Sequence, residues 1–438
     1  MQTYLEQLKK AGQLVNIDKQ VDPQFELAAV TRAMQKHTDN AVLFENVRGT
    51  KFPVVTNLYS SPARFDALID SGDKGFCARF NELTDELGEA DGSETHAGKP
   101  PKGLVDSTLG ELPLITYHAQ DAGPYFTSAI YLAKDPETGV PNLSFHRSMY
   151  VSDSELRVRL GESHNLAAYF RKAEARNEPL EAALLIGLAP ELFLAACASI
   201  PEQSSEYALA ARLAGQAVAT YAARSIDLEI PASAQVVVEG KFLPGLRRPE
   251  GPFGEVLGYY VPQGDNAVFE ISDVYCHPNA VFHSILCGSD EDRLPLGRLI
   301  AAKTYRHLAN LLPGIIDVTC HPIFMNTTIR MRPEFEDHAK QALLAAFDAD
   351  SDYHQLCIAI DEDDDPQDVE EILMSIVTRG RLDERTIVIP DRPGFYRDPH
   401  RDFWGRLGID ATRPFGREAD FVKKTIPGQD DIDLDDYL

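Results

Sequence analysis

Positive charge is in short supply. The 438 residues carry 42 Lys and Arg against 68 Asp and Glu, a formal net charge of −26. Nucleic-acid phosphates are bound by basic surfaces, so this balance argues against nucleic acid as a partner. It argues equally against docking on an anionic membrane. A small anionic substrate stays open, because one or two well-placed cations suffice to hold it. Long apolar runs are also missing, and none approaches membrane-spanning length. The opening Met1-Gln-Thr-Tyr-Leu-Glu-Gln-Leu-Lys-Lys10 is amphipathic. It has neither the apolar centre nor the small-residue cleavage site of a secretion signal.

Cysteine is scattered. Cys77, Cys197, Cys276, Cys287, Cys320 and Cys357 include no Cys-x-x-Cys pair. A large chain with isolated cysteines, mostly in apolar surroundings, reads as reduced and cytoplasmic. Adjacent Cys276-His277 and Cys320-His321 are poorly spaced as two ligands for one metal. There is no Gly-x-x-x-x-Gly-Lys-Ser/Thr, no dinucleotide fingerprint and no Gly-x-Ser-x-Gly elbow. A nucleotide-like cofactor would therefore have to be held another way, and a metal bridging its phosphate is one. Internal repeats are absent. The run Asp361-Glu-Asp-Asp-Asp365 lacks the glycine and closing glutamate of a calcium loop, and reads as an acidic helix start before Pro366.

What is present is an ordinary globular composition, 44% hydrophobic and 25% charged, in a chain too long for one core. Residues 1–103 alternate helix-like and strand-like segments. They end in the Gly- and Pro-rich stretch 87–103, the best linker candidate. Residues 104–293 are strand-rich, with strands expected at 142–151, 182–188, 235–240, 267–275 and 281–287, and helices at 165–177, 190–198 and 206–216. Short strands with Gly/Pro punctuation suggest a barrel or sandwich. Residues 294–400 read as a further α/β unit, with helices at 294–311, 335–347 and 367–378. Residues 401–438 carry little periodicity and read as an extended tail that packs on a neighbouring subunit.

The segment Glu250-Gly-Pro-Phe-Gly-Glu255 places two carboxylates at the ends of a stretch whose Gly251, Pro252 and Gly254 forbid regular helix or central strand. Two acids held close is a way to make one a proton donor while the other stays ionised. A plain surface turn is the competing explanation. Asn142-Leu-Ser-Phe-His-Arg-Ser-Met-Tyr-Val151 reads as one strand, with Leu143, Phe145, Arg147, Met149 and Val151 on one face. Arg147 then lies among apolar side chains and either takes an anion, Glu250 or a substrate carboxylate, or is an edge arginine that snorkels to water. Strict alternation puts Asn142 and Arg147 on opposite faces, so one shared site requires a strand end or a bulge. Asn142, His164 and Glu206 form a mixed N/O set suited to Mn²⁺ or Mg²⁺, but spacing alone does not bring them together, and by themselves His164 and Glu206 read as a helix-start histidine and an N-terminal helix acid.

Taken jointly and in order, Asn142-Leu-Ser-Phe-His-Arg147, Glu162-Ser-His164, Ile200-Pro-Glu-Gln-Ser-Ser-Glu-Tyr-Ala208, Val238-Glu-Gly240, Glu250-Gly-Pro-Phe-Gly-Glu255 and Leu407-Gly-Ile-Asp-Ala-Thr412 resemble the UbiD family of decarboxylases. The resemblance covers roughly residues 100–420 and is weaker before them. It implies a multidomain α/β fold: an N-terminal α/β domain, a central split β-barrel that binds flavin, and a C-terminal α/β domain with an extended tail. It implies prenylated FMN, Mn²⁺ and often a monovalent cation such as K⁺. By position, Asn142, His164 and Glu206 resemble the metal ligands. Asn142, Leu143, Ser144, Phe145, His146 and Arg147, with Ser163, His164 and Glu206, resemble the cofactor-binding residues. Arg147, Glu250 and Glu255 resemble the catalytic network. Ser163 stands where some relatives carry Gln. Arg413 is the nearest candidate for a C-terminal lysine that touches the cofactor phosphate in some members. The implied reaction is reversible decarboxylation of an aromatic, heteroaromatic or α,β-unsaturated acid, in a homodimer or homohexamer supplied by a separate flavin prenyltransferase. A flavin oxidoreductase on a split barrel, a non-catalytic scaffold and a flavin-free metal hydrolase are the competing expectations.

Overall fold

The computed structural model describes residues 1–438 apart from 86, 91, 163, 202, 351, 391, 393, 395–403, 429–431 and 433–438. The N-terminal sheet is built from strands Leu14–Ile17, Ala41–Phe44 and Val54–Thr56, with helices Gln2–Lys10, Glu26–Gln35, Pro62–Ile69 and Phe76–Asp85 around it. Its fourth strand, Phe282–His283, arrives from far along the chain and runs parallel to Val54–Val55. The strand expected over 281–287 is thus only two residues long and completes the N-terminal sheet instead of joining the central one. Glu291 locks this junction. Its carboxylate accepts the backbone N–H groups of Asn57 (2.7 Å) and Tyr59 (3.1 Å) and bonds His283 Nε2 at 2.9 Å.

The central sheet positions the site. Its strands are β1 (Tyr125–Phe126), β2 (Ile130–Lys134), β3 (Pro141–Phe145), β4 (Ser148–Ser152), β5 (Glu155–Val158), β6 (Leu180–Ile186), β7 (Val236–Glu250) and β8 (Gly264–Cys276). Their spatial order is β1-β4-β5-β8-β7-β6-β2-β3, antiparallel throughout, and Val105–Asp106 pairs with β8 off this path. The path stays open between β1 and β3, as a split barrel requires. Its two ends are joined by short links, residues 127–129 and 146–147, and His146 N–H donates to Ala129 O across them at 3.1 Å. The sheet is apolar on its inner face, with Val236, Val238, Phe242 and Phe269 all buried. Helices α1 (Asn165–Ala175), α2 (Pro190–Cys197) and α3 (Glu206–Ala214) follow, and all three lie against β3. The stretch 87–103 is not a bare linker: Thr95–Ala97 pairs in parallel with Val218–Thr220.

Helix α4 (Asp290–Leu311) leads into a C-terminal sheet of Ile315–Thr319, Asn326–Met331, Leu356–Asp361, Arg406–Asp410 and Thr386–Ile389, in that spatial order. Arg406–Asp410 therefore lies inside the sheet, not in a tail. Five residues interrupted by Gly408, which packs on Phe347, are too few to show a period in sequence. The acidic run after Leu356–Asp361 is not a helix start either. Asp361 and Asp364 each accept a bond from buried Arg379 at 2.6 Å, and the next helix, Val369–Arg379, begins after the capping residue Asp368. Among the described residues no helix is long and apolar enough to cross a membrane.

Candidate active site

The expected single strand 142–151 is broken. Strand β3 ends at Phe145 and β4 begins at Ser148, and the two lie at opposite ends of the sheet path. His146 and Arg147 cross the split between them. Crossing cancels strand parity, so nothing now forces Arg147 and Asn142 onto opposite sides.

Along β3 and one residue past its end, the side chains of 142, 144 and 146 are linked. Asn142 Nδ2 donates to Ser144 Oγ at 2.9 Å, and Ser144 Oγ lies 2.9 Å from His146 Nε2. The His146 ring is 5.3 Å from that of His164, which precedes the first turn of α1. Strand β3 is a sheet edge, so some of its backbone N–H groups point away from the sheet. Glu206 takes one of them: its Oε2 accepts Leu143 N–H at 2.9 Å. Ser205 caps helix α3 by accepting Ala208 N–H, which sets Glu206 at the first helical position, facing β3. Burial pushes the Glu206 carboxyl up to about 8, against the opposing pull of the Leu143 N–H and its own backbone N–H. An acid buried this deeply, served only by backbone donors, fits a cation. Asn142 lies on β3, Glu206 bonds its backbone, and His164 stands beside His146 just past its end; by chemistry the three are a hard N/O donor set. Among the described residues no group of three or more His, Cys, Asp or Glu side chains converges as a metal site. Ser163 lies outside the described residues.

Arg147 is the centre of the second cluster. Its Nε donates to Glu250 Oε1 at 3.1 Å and its Nη2 to Glu250 Oε2 at 3.2 Å, while Nη1 bonds Glu255 Oε1. All three side chains are buried or nearly so, at 9%, 1% and 10% exposed for Arg147, Glu250 and Glu255. Burial pulls the guanidinium down, but Glu255 and Glu250 outweigh it and hold the group above its ordinary value. The guanidinium carbon sits 4.5 Å from the Phe253 ring centroid. Glu250 is the last residue of β7, and Glu255 follows the first strand of a two-strand hairpin, Phe253–Gly254 against Tyr260–Val261. The motif therefore straddles a strand end and a turn.

Three partners of this cluster have no sequence signature. Tyr125 Oη donates to Glu250 Oε1 at 2.9 Å, and its ring packs 4.4 Å from Phe253. Asn266 Nδ2 donates to Glu250 Oε2 at 3.0 Å. Asp121 bonds the backbone of the hairpin. Asn266 is reachable only once the register Glu250↔Gly264 is known, because it sits diagonally across from Glu250. Arg413 belongs to neither cluster. Its backbone N–H and Nε go to Asp361 (2.8 and 3.2 Å) and its Nη2 to Asp363, so carboxylates of the C-terminal domain occupy it.

A split antiparallel sheet between two α/β units carries a buried Arg–Glu–Glu cluster, an arrangement that can bind a carboxylate and move a proton. Residues 5–83, 99–290 and 294–411 match in turn the N-terminal, Rift-related and C-terminal domains of 3-octaprenyl-4-hydroxybenzoate carboxy-lyase. The chain belongs to the UbiD family, and it is a carboxy-lyase. The UbiD-class enzyme HmfF from Pelotomaculum thermopropionicum, solved in complex with FMN, is 32% identical with a TM-score of 0.91, over 100% of this chain and 99% of that one. An evolved dimeric form of HmfF in complex with prFMN is 31% identical, with a TM-score of 0.88 and the same coverage. Anhydromevalonate phosphate decarboxylase of Methanothermobacter thermautotrophicus is 29% identical over 435 residues, 97% of this chain and 99% of the relative.

Proposed function

We propose that this protein carries out reversible, non-oxidative decarboxylation of an aromatic, heteroaromatic or α,β-unsaturated carboxylic acid, with prenylated FMN and Mn²⁺. The observation that carries this reading is the buried fork of Arg147 on Glu250, with Glu255 on the same guanidinium. Asn142, His164 and Glu206 would hold the metal, together with a monovalent cation such as K⁺ nearby. Residues Asn142 to Arg147, with Ser163, would line the cofactor. Relatives solved with FMN and prFMN support that choice of cofactor. When bound, prenylated FMN supplies an electron sink for the carbanion-like centre that loss of CO₂ creates.

The chain's own residues supply orientation and the proton. A guanidinium has five N–H donors, and the two acids engage three of them, which leaves room for a substrate carboxylate. Glu250 holds Arg147 in place, and Tyr125 and Asn266 hold Glu250. A third negative charge entering beside two ionised acids would be repelled. The substrate therefore enters when Glu255 carries a proton and yields its place on Nη1. Glu255 in that form is the donor that protonates the carbon after CO₂ leaves. The Phe253 ring and buried neighbours keep water from the guanidinium. The same reading places the enzyme in the cytoplasm as a homodimer or homohexamer, and the dimeric HmfF relative supports self-association. It also requires a flavin prenyltransferase in the same cell.

The test is co-expression with a flavin prenyltransferase, followed by CO₂ release from 2-furoate, 4-hydroxybenzoate, cinnamate and anhydromevalonate phosphate. Turnover of a panel member by the wild type, lost in Glu255→Gln while the flavin spectrum is kept, supports the reading. Wild-type turnover by Glu255→Gln refutes it.

A further inference from the structure

The hairpin that carries Glu255 is strapped from outside by the segment 118–122. The Asp121 side chain is fully buried, and it accepts two backbone N–H groups: Gly254 on Oδ1 and His118 on Oδ2, each at 2.8 Å. Two more bonds join the same pieces of chain. Ala122 N–H donates to Pro252 O at 2.9 Å, and Gln120 N–H donates to Tyr260 Oη at 3.1 Å. Contact is close as well. A Cβ added at Gly254 would lie 2.5 Å from His118 Nδ1, so only glycine lets the strap seat. The other side of the hairpin is apolar: Val256 and Leu257 pack with Ile300, Phe324 and Met325.

A carboxylate with no exposure is costly unless it is fully bonded, and Asp121 spends its hydrogen bonds on two backbone N–H groups, with the His118 ring nitrogen 3.5 Å from Oδ2. Holding a loop together would explain that much. The point of attachment says more. One bond lands on Gly254, directly before Glu255, and Glu255 N–H itself donates to Tyr259 O at 2.9 Å across the hairpin. These two bonds fix the peptide planes before and after Gly254, and Gly258 N–H, donating to Glu255 O at 2.9 Å, fixes the plane after Glu255; together they set the direction in which the Glu255 side chain leaves the backbone. A donor that leaves Arg147 and returns to a substrate carbon moves only its side-chain torsions, provided the backbone beneath it stays fixed.

We propose that Asp121 is a positioning residue that fixes the backbone under Glu255 and so aims its proton. The inference rests on the reading of Glu255 as the donor. The test uses the prenylated-flavin-loaded enzyme and the panel acid it turns over fastest, with Asp121→Ala, Asp121→Asn and Glu255→Gln prepared in parallel. Misplacing a reacting group by about 1 Å costs on the order of 100-fold, so Asp121→Ala should lose about 10- to 100-fold in kcat. KM and flavin content should stay within about twofold. The solvent deuterium effect on kcat should rise, because proton delivery becomes rate-limiting. Asp121→Asn keeps one acceptor oxygen and should fall between. A purely structural role would lower the folded, flavin-loaded fraction and leave the isotope effect per loaded enzyme unchanged. That result, or a wild-type kcat in Asp121→Ala, overturns the proposal. If Glu255→Gln is inactive and Asp121→Ala is not, the positioning role alone fails. If Glu255→Gln is active, the donor assignment fails, and the positioning role with it.

Discussion

Arg147 grips Glu250 with two parallel bonds, Nε to Oε1 at 3.1 Å and Nη2 to Oε2 at 3.2 Å, although 103 residues separate them in the chain. This geometry needs the planar fork of a guanidinium. A lysine at 147 offers a compact ammonium that cannot span both oxygens. Arg147→Lys should therefore lower kcat/KM by about 100-fold or more while leaving the fold intact, as read from steady-state kinetics on a panel acid. An activity within a few fold of wild type would show that the fork is not used in turnover.

The same pair has a stability consequence. Removing one partner of a buried ion pair typically costs about 3–5 kcal/mol. Glu250, however, keeps Tyr125 and Asn266 as donors when the arginine is gone. Arg147→Ala should thus cost only about 1–3 kcal/mol in equilibrium denaturation. Adding Tyr125→Phe should cost more than the sum of the two single changes, because the carboxylate then loses a second donor. Strict additivity would mean that the three groups do not act as one network.

Glu206 faces the edge of β3 with a backbone N–H as its recorded side-chain contact there. Loss of a residue one layer further out commonly weakens metal affinity by about 10–100-fold, and loss of a proposed ligand should do no less. Glu206→Ala should therefore lower bound Mn²⁺ and retained flavin together, measured by elemental analysis and visible absorbance after gel filtration. Full metal content in that variant would move the metal elsewhere.

His354 predicts how the fold responds to acid. It is buried between Thr304 Oγ1 (2.9 Å from Nε2) and Thr327 Oγ1 (2.6 Å from Nδ1). Burial lowers its pKa from 6.5 to about 4. The folded state therefore favours the neutral ring, while the unfolded chain takes up a proton below 6.5. Stability from this group is present above pH 6.5 and is lost as pH falls from 6.5 toward 4, by at most ~3 kcal/mol. Denaturant midpoints measured between pH 7.5 and 4.5 should fall in the wild type and fall less steeply in His354→Gln. Parallel pH profiles for the two would exclude His354 as a source.

Much of the architecture was legible before any coordinates. The helices at 165–175, 190–197 and 206–214 end within two residues of their expected limits, because apolar periodicity is strong and Ser205 and Gly215 mark the limits of the third. The strands were harder. Residues 142–151 look continuous because β-rich residues occupy both sides of the break, and nothing local announces that β3 and β4 lie on opposite sides of the split. Phe282–His283 looked central because hydrophobicity does not say which sheet a strand joins. Arg406–Asp410 was missed because a short strand with glycine in it has no period to read.

The sequence by itself determined the chemical inventory: an arginine between apolar residues, two acids around a glycine- and proline-bound turn, and an Asn, His and Glu suited to a hard cation. Only the tertiary structure decided that the arginine meets both acids. It sent the chain across a split at His146–Arg147, turned the edge of β3 toward Glu206, and set Tyr125, Asn266 and Asp121 behind the acids. The reason is physical. Side-chain chemistry and local period are properties of neighbours in sequence, whereas strand order and register are settled by burial and pairing among residues more than a hundred positions apart.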